Sequence, residues 1–339
     1  MPIFSFGHPF ILTAFISFFL TLVATWLLVP RLRRAGFVGV DLNKLPAKFD
    51  RSKIKALKAS GYPGLPTVPR AGGIAMVFGF TTGMLVSLAV FPYRDIVVIL
   101  AAMLSASLIF AVGILEDFMP IRQLYRVLLP GIAALPLMAV SAGTSYMYLP
   151  IIGAVNFGLL YPLLIIPIGI MAASNLVNLL AGFNGVEAGV GFVVGLTLFI
   201  ASYALDRPEA ALISIALASA CAAFLVFNWF PAKIFPGNSA TYMIGAVIAV
   251  IVIVGNMERI GAIALAPQIA EFFLKSLGGF RAENFGKLGK DGRLSYDGPI
   301  QSISHVLMKL FRPTEEQMTL MILAIQAVFG AIAFSSIYW

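Results

Sequence analysis

Apolar runs of roughly 17–25 residues recur along nearly the whole of this chain, and that is the length an α-helix needs to cross about 30 Å of hydrocarbon. Lipid offers no water to backbone N–H and C=O groups, so a chain built this way must satisfy them within helices or a closed barrel. No period-2 alternation dominates the runs, which argues against a barrel. With 60% hydrophobic and 11% charged residues, the 339-residue chain also lacks the charged surface of a soluble domain. The pattern predicts an all-α, polytopic transmembrane helical protein of about ten spans, forming a single integral-membrane domain over 1–339.

The spans fall at 10–30, 72–91, 95–115, 125–142, 158–174, 186–204, 209–227, 239–255, 260–277 and 318–338. The fifth contains Pro162 and Pro167, which a membrane helix tolerates when neighbours satisfy the freed carbonyls. The first run has no Lys or Arg before it, is long for a signal-peptide core, and is followed by Arg31, Arg33 and Arg34. It therefore reads as a retained first helix.

Of the 23 Lys and Arg residues, only Arg94, Arg207 and Arg259 fall on one side of these spans. The others lie in the loops at 31–71, 116–124, 175–185, 228–238 and 278–317, or at the helix ends beside them. The positive-inside rule then places those loops in the cytoplasm and both termini outside. The net charge of +8 is explained by this topology, and no nucleic-acid partner is expected. Single Cys221 rules out an intramolecular disulfide, and His8 and His305 are too far apart in sequence to suggest a His-based metal site.

Rare polar types cluster in four segments on the basic side. The first holds Asp41, Asn43 and Lys44, then a basic stretch and Gly72-Gly73. The scattered lysines suit anionic headgroups, and the glycine pair admits a ligand or another helix at close range. The second is Glu116-Asp117 with Arg122 and Arg126; paired carboxylates at the end of an apolar helix need cationic company, either these arginines or a divalent metal. In the third, Asn175 and Asn178 share a helix face and are followed by Asn184-Gly185 and Glu187. A turn is required there, but a turn does not require those extra polar groups. The fourth runs from Asn228 through Lys233 and Phe235 to Asn238-Ser239 at a helix start, a position for an N-cap or an anion. Carboxylate and amide oxygens without a His or thiolate cluster suit Mg²⁺, or Mn²⁺, rather than zinc. Mg²⁺ with basic residues is the usual equipment of phosphoryl transfer.

These residues resemble the polyprenyl-phosphate N-acetylhexosamine-1-phosphate transferases, which include MraY. Within that family the likeness is to the dolichyl-phosphate GlcNAc-1-phosphate transferases of archaea and eukaryotes. It extends over about residues 10–338 and is carried most strongly by Asn-Leu-Leu-Ala-Gly-Phe-Asn-Gly-Val-Glu-Ala-Gly at 178–189, supported by the segment at 227–238. The resemblance implies transfer of GlcNAc-1-phosphate from UDP-GlcNAc to polyprenyl or dolichyl phosphate, with Mg²⁺, at an active site facing the cytoplasm of a cell or endoplasmic-reticulum membrane. A homodimer is compatible with it. Glu116-Asp117 match the family's Asp-Asp pair and Arg126 its downstream basic residue. Asn178 and Asn238, with Asp117, match the metal site, while Asn184 and Phe235 fall where uridine is held. Arg281 and Glu283 fall in the last loop, which grips sugar and diphosphate. Asp41, Asn43, Lys44, Asn175, Glu187 and Lys233 are further candidates for substrate contact.

Two departures matter. Glu116 and Asn238 stand where the family has aspartates, leaving Asp117 and the substrate diphosphate to supply most of the negative charge around a metal. The chain reads Ala181-Gly182-Phe183-Asn184-Gly185 and lacks the histidine-rich last loop of muramoyl-pentapeptide transferases, so transfer of that peptide substrate is disfavoured. Another UDP-N-acetylhexosamine remains the alternative. A transporter is the rival outside the class, but it calls for broken helices around a mid-membrane site, whereas these polar clusters sit at helix ends.

Overall fold

The computed structural model describes residues 8–41, 66–119, 121–149 and 153–339. Asn43 and Lys44 lie outside the described residues. Helices α1 (His8–Arg34), α2 (Gly73–Val90) and α3 (Ile96–Phe118) come first, then the short α4 (Gln123–Leu128) and α5 (Leu135–Ala139). Next are α6 (Ile166–Leu179), α7 (Val186–Ala204), α8 (Pro208–Asn228) and α9 (Gly237–Gly255). The series closes with α10 (Glu258–Ala264), α11 (Ala266–Ser276), α12 (Ile303–Phe311) and α13 (Glu315–Ser335). Among the described residues, eight helical stretches are long and apolar enough to cross a membrane, α6 counting together with the turns from Tyr161 that precede it. The chain is a polytopic helical membrane protein.

The fourth and ninth expected spans are interrupted, and proline accounts for both. Between α4 and α5 the chain takes a 3-10 path over Leu129–Ala134, with Pro130 at its start and Pro136 at the start of α5. Pro267 opens α11 and divides the ninth segment at Leu265, because its ring blocks the preceding helical turn. Helices α3 and α6 nevertheless both end beside the N-terminus of α9, so residues 123–139 lead the chain back between them. In the fifth segment, Pro162 lies in the first turn of a π-helical stretch, Tyr161–Ile165, and Pro167 lies where that stretch runs on into α6, so the helical ladder is loosened there without being broken.

Helix α9 forms the centre. Of its apolar stretch 78% is buried, against 22% for the peripheral α1. Its N-terminus is seated between α2 and α3 by glycines. A Cβ on Gly73 would lie 2.6 Å from Ala240 N, and one on Gly113 would lie 2.5 Å from Ser239 Cα. The Gly72-Gly73 pair thus serves helix approach, not a ligand.

Among the described residues, three short antiparallel strand pairs, not expected from the hydrophobic pattern, join the helices. Strand β1 (Val38–Val40) pairs with β2 (Thr67–Pro69), β3 (Tyr146–Leu149) with β4 (Gly153–Asn156), and β5 (Lys287–Leu288) with β6 (Leu294–Ser295). The first pair matters for the site. It brings Asp41 back to the bundle end, where its N–H donates to Pro66 O at 2.8 Å.

Candidate active site

A cleft of about 280 Å³ opens at the bundle end where α6 finishes and α7 and α9 begin. Asp41, Asn178, Asn184, Glu187, Phe235 and Asn238 all line it, bringing together six expected site residues from three separate segments. Each is placed by a specific local cause. Helix α6 stops at Leu179, and the chain turns through Gly182 and Gly185, both with positive φ, before α7 starts. Asn178 therefore faces α9, where its Oδ1 accepts from Thr241 Oγ1 at 3.0 Å. The backbone of Asn184 is clamped by α13: its N–H donates to Glu315 Oε1 at 3.0 Å, and its carbonyl accepts from Thr319 Oγ1 at 2.9 Å. Its Nδ2 points to Asp41 Oδ2 at 3.4 Å. Glu187, in the first turn of α7, accepts from Gly182 N at 3.3 Å.

Phe235 reaches the cleft on a clipped loop. Its N–H donates to Pro69 O at 2.7 Å and its carbonyl accepts from Gly72 N at 3.0 Å. Asn228 Nδ2 closes the loop on Ile234 O at 2.9 Å. Asn228 Oδ1 is buried without a hydrogen-bond partner among the described residues, at a position lining the cleft. An acceptor in that state favours a ligand that brings a donor.

The acidic pair occupies a separate corner. Asp117 lies directly behind Gly237 and spans the start of α9. Its Oδ1 accepts from Asn238 N at 2.9 Å, and its Oδ2 accepts from Ser239 N at 3.2 Å and Ser239 Oγ at 2.8 Å. The carboxylate thus satisfies amides that a helix N-terminus leaves unpaired and sits at the positive end of the helix dipole. Arg70 donates to the Asp117 carbonyl. Glu116 points elsewhere: Arg126 Nε lies 2.7 Å from Oε1, and Tyr242 Oη donates to Oε2 at 2.7 Å. Its partners are an arginine and a tyrosine, the local alternative to a metal.

Several expected contacts do not reach the cleft. Asn175 donates to Met171 O at 2.8 Å and Val127 O at 3.3 Å, tying α6 to α4. Glu116 and Arg126 pair at the acidic corner. Lys233, Arg281 and Glu283 are exposed and outside the lining. For Arg281 and Glu283, the loop turns inward only at the next residues. Asn284 is buried, and Phe285 lines the cleft and packs edge-on against Phe183, with centroids 6.2 Å apart.

Residues 99–256, which contain the acidic corner, the amide turn and α9, match the family described as glycosyl transferase family 4. Over 325 residues the chain is 36% identical to a Saccharolobus solfataricus protein provisionally named UDP-N-acetylglucosamine–dolichyl-phosphate N-acetylglucosaminephosphotransferase, covering 95% of each chain. The chain belongs to glycosyl transferase family 4. A Schizosaccharomyces pombe relative with the same enzyme name is 30% identical over 294 residues, covering 74% of this chain and 64% of the yeast protein. A phospho-N-acetylmuramoyl-pentapeptide-transferase of Halalkalibacterium halodurans is 28% identical over 264 residues, covering 73% and 75%.

For this family 4 chain the donor set decides which metal could fit. Among the described residues no three His, Cys, Asp or Glu side chains gather into a metal-binding group. The cleft instead presents the amides of Asn178 and Asn238 and the carboxylates of Asp41 and Glu187. An oxygen-only set with few protein ligands fits Mg²⁺ or Mn²⁺, which keep waters and bind substrate phosphates, and does not fit zinc.

Proposed function

We propose that this chain transfers GlcNAc-1-phosphate from UDP-GlcNAc to a polyprenyl or dolichyl phosphate, giving lipid-pyrophosphate-GlcNAc and UMP. This is the first membrane step of glycan assembly, with N-glycans the expected product class. The observation that carries the reading is the cleft, where the amide turn of 178–187 meets the start of α9 across an aromatic ring, Phe235. Amides and a ring recognise a nucleobase and its ribose.

The acceptor phosphate is mostly ionised near neutral pH, its second pKa being about 6, so it needs little deprotonation. The task is to align two anions and stabilise the leaving charge. An oxygen of the lipid phosphate attacks the β-phosphorus, forming the new P–O bond. The bond from the β-phosphorus to the bridging oxygen breaks, and UMP leaves with that oxygen. Asn178 and Asn238 would hold Mg²⁺ together with the diphosphate; the bound ion would neutralise charge on the phosphates. Asp117 orients Asn238 through the backbone and adds negative charge from behind. With its oxygens engaged by three donors, this carboxylate is poorly placed as a covalent nucleophile, which favours direct attack. The basic residues of the neighbouring loops support a cytoplasmic-facing cleft.

Purified protein should release UMP from UDP-GlcNAc only with lipid phosphate and Mg²⁺ or Mn²⁺ present, and should not turn over UDP-muramoyl-pentapeptide. Full activity in excess chelator would remove the metal from this account. Preference for the peptide substrate would reassign the donor.

A further inference from the structure

Asn284, which no motif marks, sits where two chain segments meet. Helix α6 ends at Leu179, so its last carbonyls lack intrahelical partners. The Asn284 amide supplies a donor to one of them, Leu179 O, at 2.9 Å from Nδ2, and the same Nδ2 donates to Ala181 O in the following turn at 2.6 Å. One side chain thereby holds the turn that carries Asn178 at one end and Asn184 at the other. The residue is itself braced from behind. Ser304 Oγ donates to Asn284 O at 2.8 Å, His305 Nε2 lies 2.8 Å from Glu283 O, and Ile303 N donates to Glu271 Oε2 at 2.7 Å. The next residue, Phe285, lines the cleft. Gly182 leaves room for it, since a Cβ there would come within 3.3 Å of the Phe285 ring.

We propose that Asn284 is a positioning residue for the nucleotide-sugar side of the cleft. It fixes the 178–184 turn against the loop between α11 and α12, so that Asn184 and Phe285 face the donor in one arrangement. The inference rests on the transferase reading above. It assigns the positioning of that turn to Asn284, beside Phe285, which lines the cleft.

The test uses the purified full-length protein, with calorimetric binding of UMP and separate KM values for UDP-GlcNAc and polyprenyl phosphate. Asn284→Asp keeps the size but replaces two donated bonds with a carboxylate facing two carbonyl oxygens. Together with Asn284→Ala, it should weaken UMP binding and raise the UDP-GlcNAc KM by about tenfold, the scale of two lost hydrogen bonds. The KM for lipid phosphate should stay within about twofold, as for a site that does not share the contact. Asn284→Gln keeps both donors and should recover part of the loss. If Asn284→Asp does not fold, Asn284→Ala and Asn284→Gln carry the test. A lowered Tm with unchanged UMP affinity would make Asn284 a scaffold residue and overturn the inference alone. Wild-type protein that binds no UMP would overturn the transferase reading and this inference together.

Discussion

The acidic corner at the end of α3 and the amide cleft in front of α9 lie on opposite sides of Gly237, and they use their polar groups in opposite ways. In the corner, the carboxylates of Asp117 and Glu116 are taken up by protein partners: the start of α9, Tyr242 and Arg126. In the cleft, the prominent groups include neutral amides, and the space between them is open. The adjacent carboxylates thus form a helix cap and an ion pair, while the cleft's own carboxylates, Asp41 and Glu187, come from separate segments. On the proposed reading, the corner builds the wall and the cleft meets the ligand.

Asp117→Asn should produce the largest effect. The replacement keeps the shape but turns one acceptor into a donor facing the N–H groups of α9, and it removes the charge behind the cleft. A fall in kcat of about 10²-fold or more is expected, with the protein still folded. A variant close to wild type in UMP release would remove the corner's support of the cleft. Next in size is the metal response. Asn178→Ala and Asn238→Ala should each raise the Mg²⁺ concentration needed for half-maximal activity, while Asn238→Asp should retain activity. A role limited to helix structure would instead lower stability and leave the Mg²⁺ midpoint in place.

Glu116→Gln should matter much less. Gln keeps the size and still accepts from Tyr242 inside the buried corner, and the lost partner, Arg126, has a side chain that is 46% exposed, so solvent screens the pair from that side. UMP release within roughly threefold of wild type is expected, corresponding to less than about 1 kcal/mol. A loss matching that of Asp117→Asn would erase the distinction between the two carboxylates.

The smallest expected effect concerns pH and the loop behind Asn284. His305 is buried and stacked on Tyr296, with centroids 3.7 Å apart. Burial holds its pKa below the ordinary value of 6.5, opposed in part by its contact with Glu283 O, and Lys275 and Lys309 push the same way as burial. The unfolded chain therefore takes up the proton first as pH falls. The stabilising contribution of neutral His305 is complete above pH 6.5 and is lost below it. Melting curves between pH 7.5 and 5.5 should show a small drop in Tm that shrinks in His305→Gln. An equal drop in both proteins would assign it elsewhere.

Much of this was legible in the sequence, because lipid makes helices obligatory and polar groups in apolar chains conspicuous. Asp41, Asn178, Asn184, Glu187 and Asn238 stand out in that way, and all five line the cleft, whereas Phe235 was marked only by the family resemblance. The interruptions at Pro130, Pro136 and Pro267 were legible in principle, since a proline within a run breaks the backbone ladder. What the pattern could not show is which polar group finds which partner at long range. Asn184 is clamped by Glu315, 131 residues away, and Asn284 reaches Leu179 across 105. Nor does a sequence distinguish a carboxylate that caps a helix from one that meets a ligand. Asp117 and Glu116 are adjacent in the chain and separate only in space.

The central claim is that a phosphosugar is transferred, not a bare sugar, and the position of one phosphorus atom tests it. Purified protein should be incubated with polyprenyl phosphate, Mg²⁺ and UDP-GlcNAc labelled at the β-phosphate. The account predicts that the label moves with GlcNAc into the lipid product and that unlabelled UMP is released in equal amount. Label retained in released UDP, with sugar alone on the lipid, would contradict it.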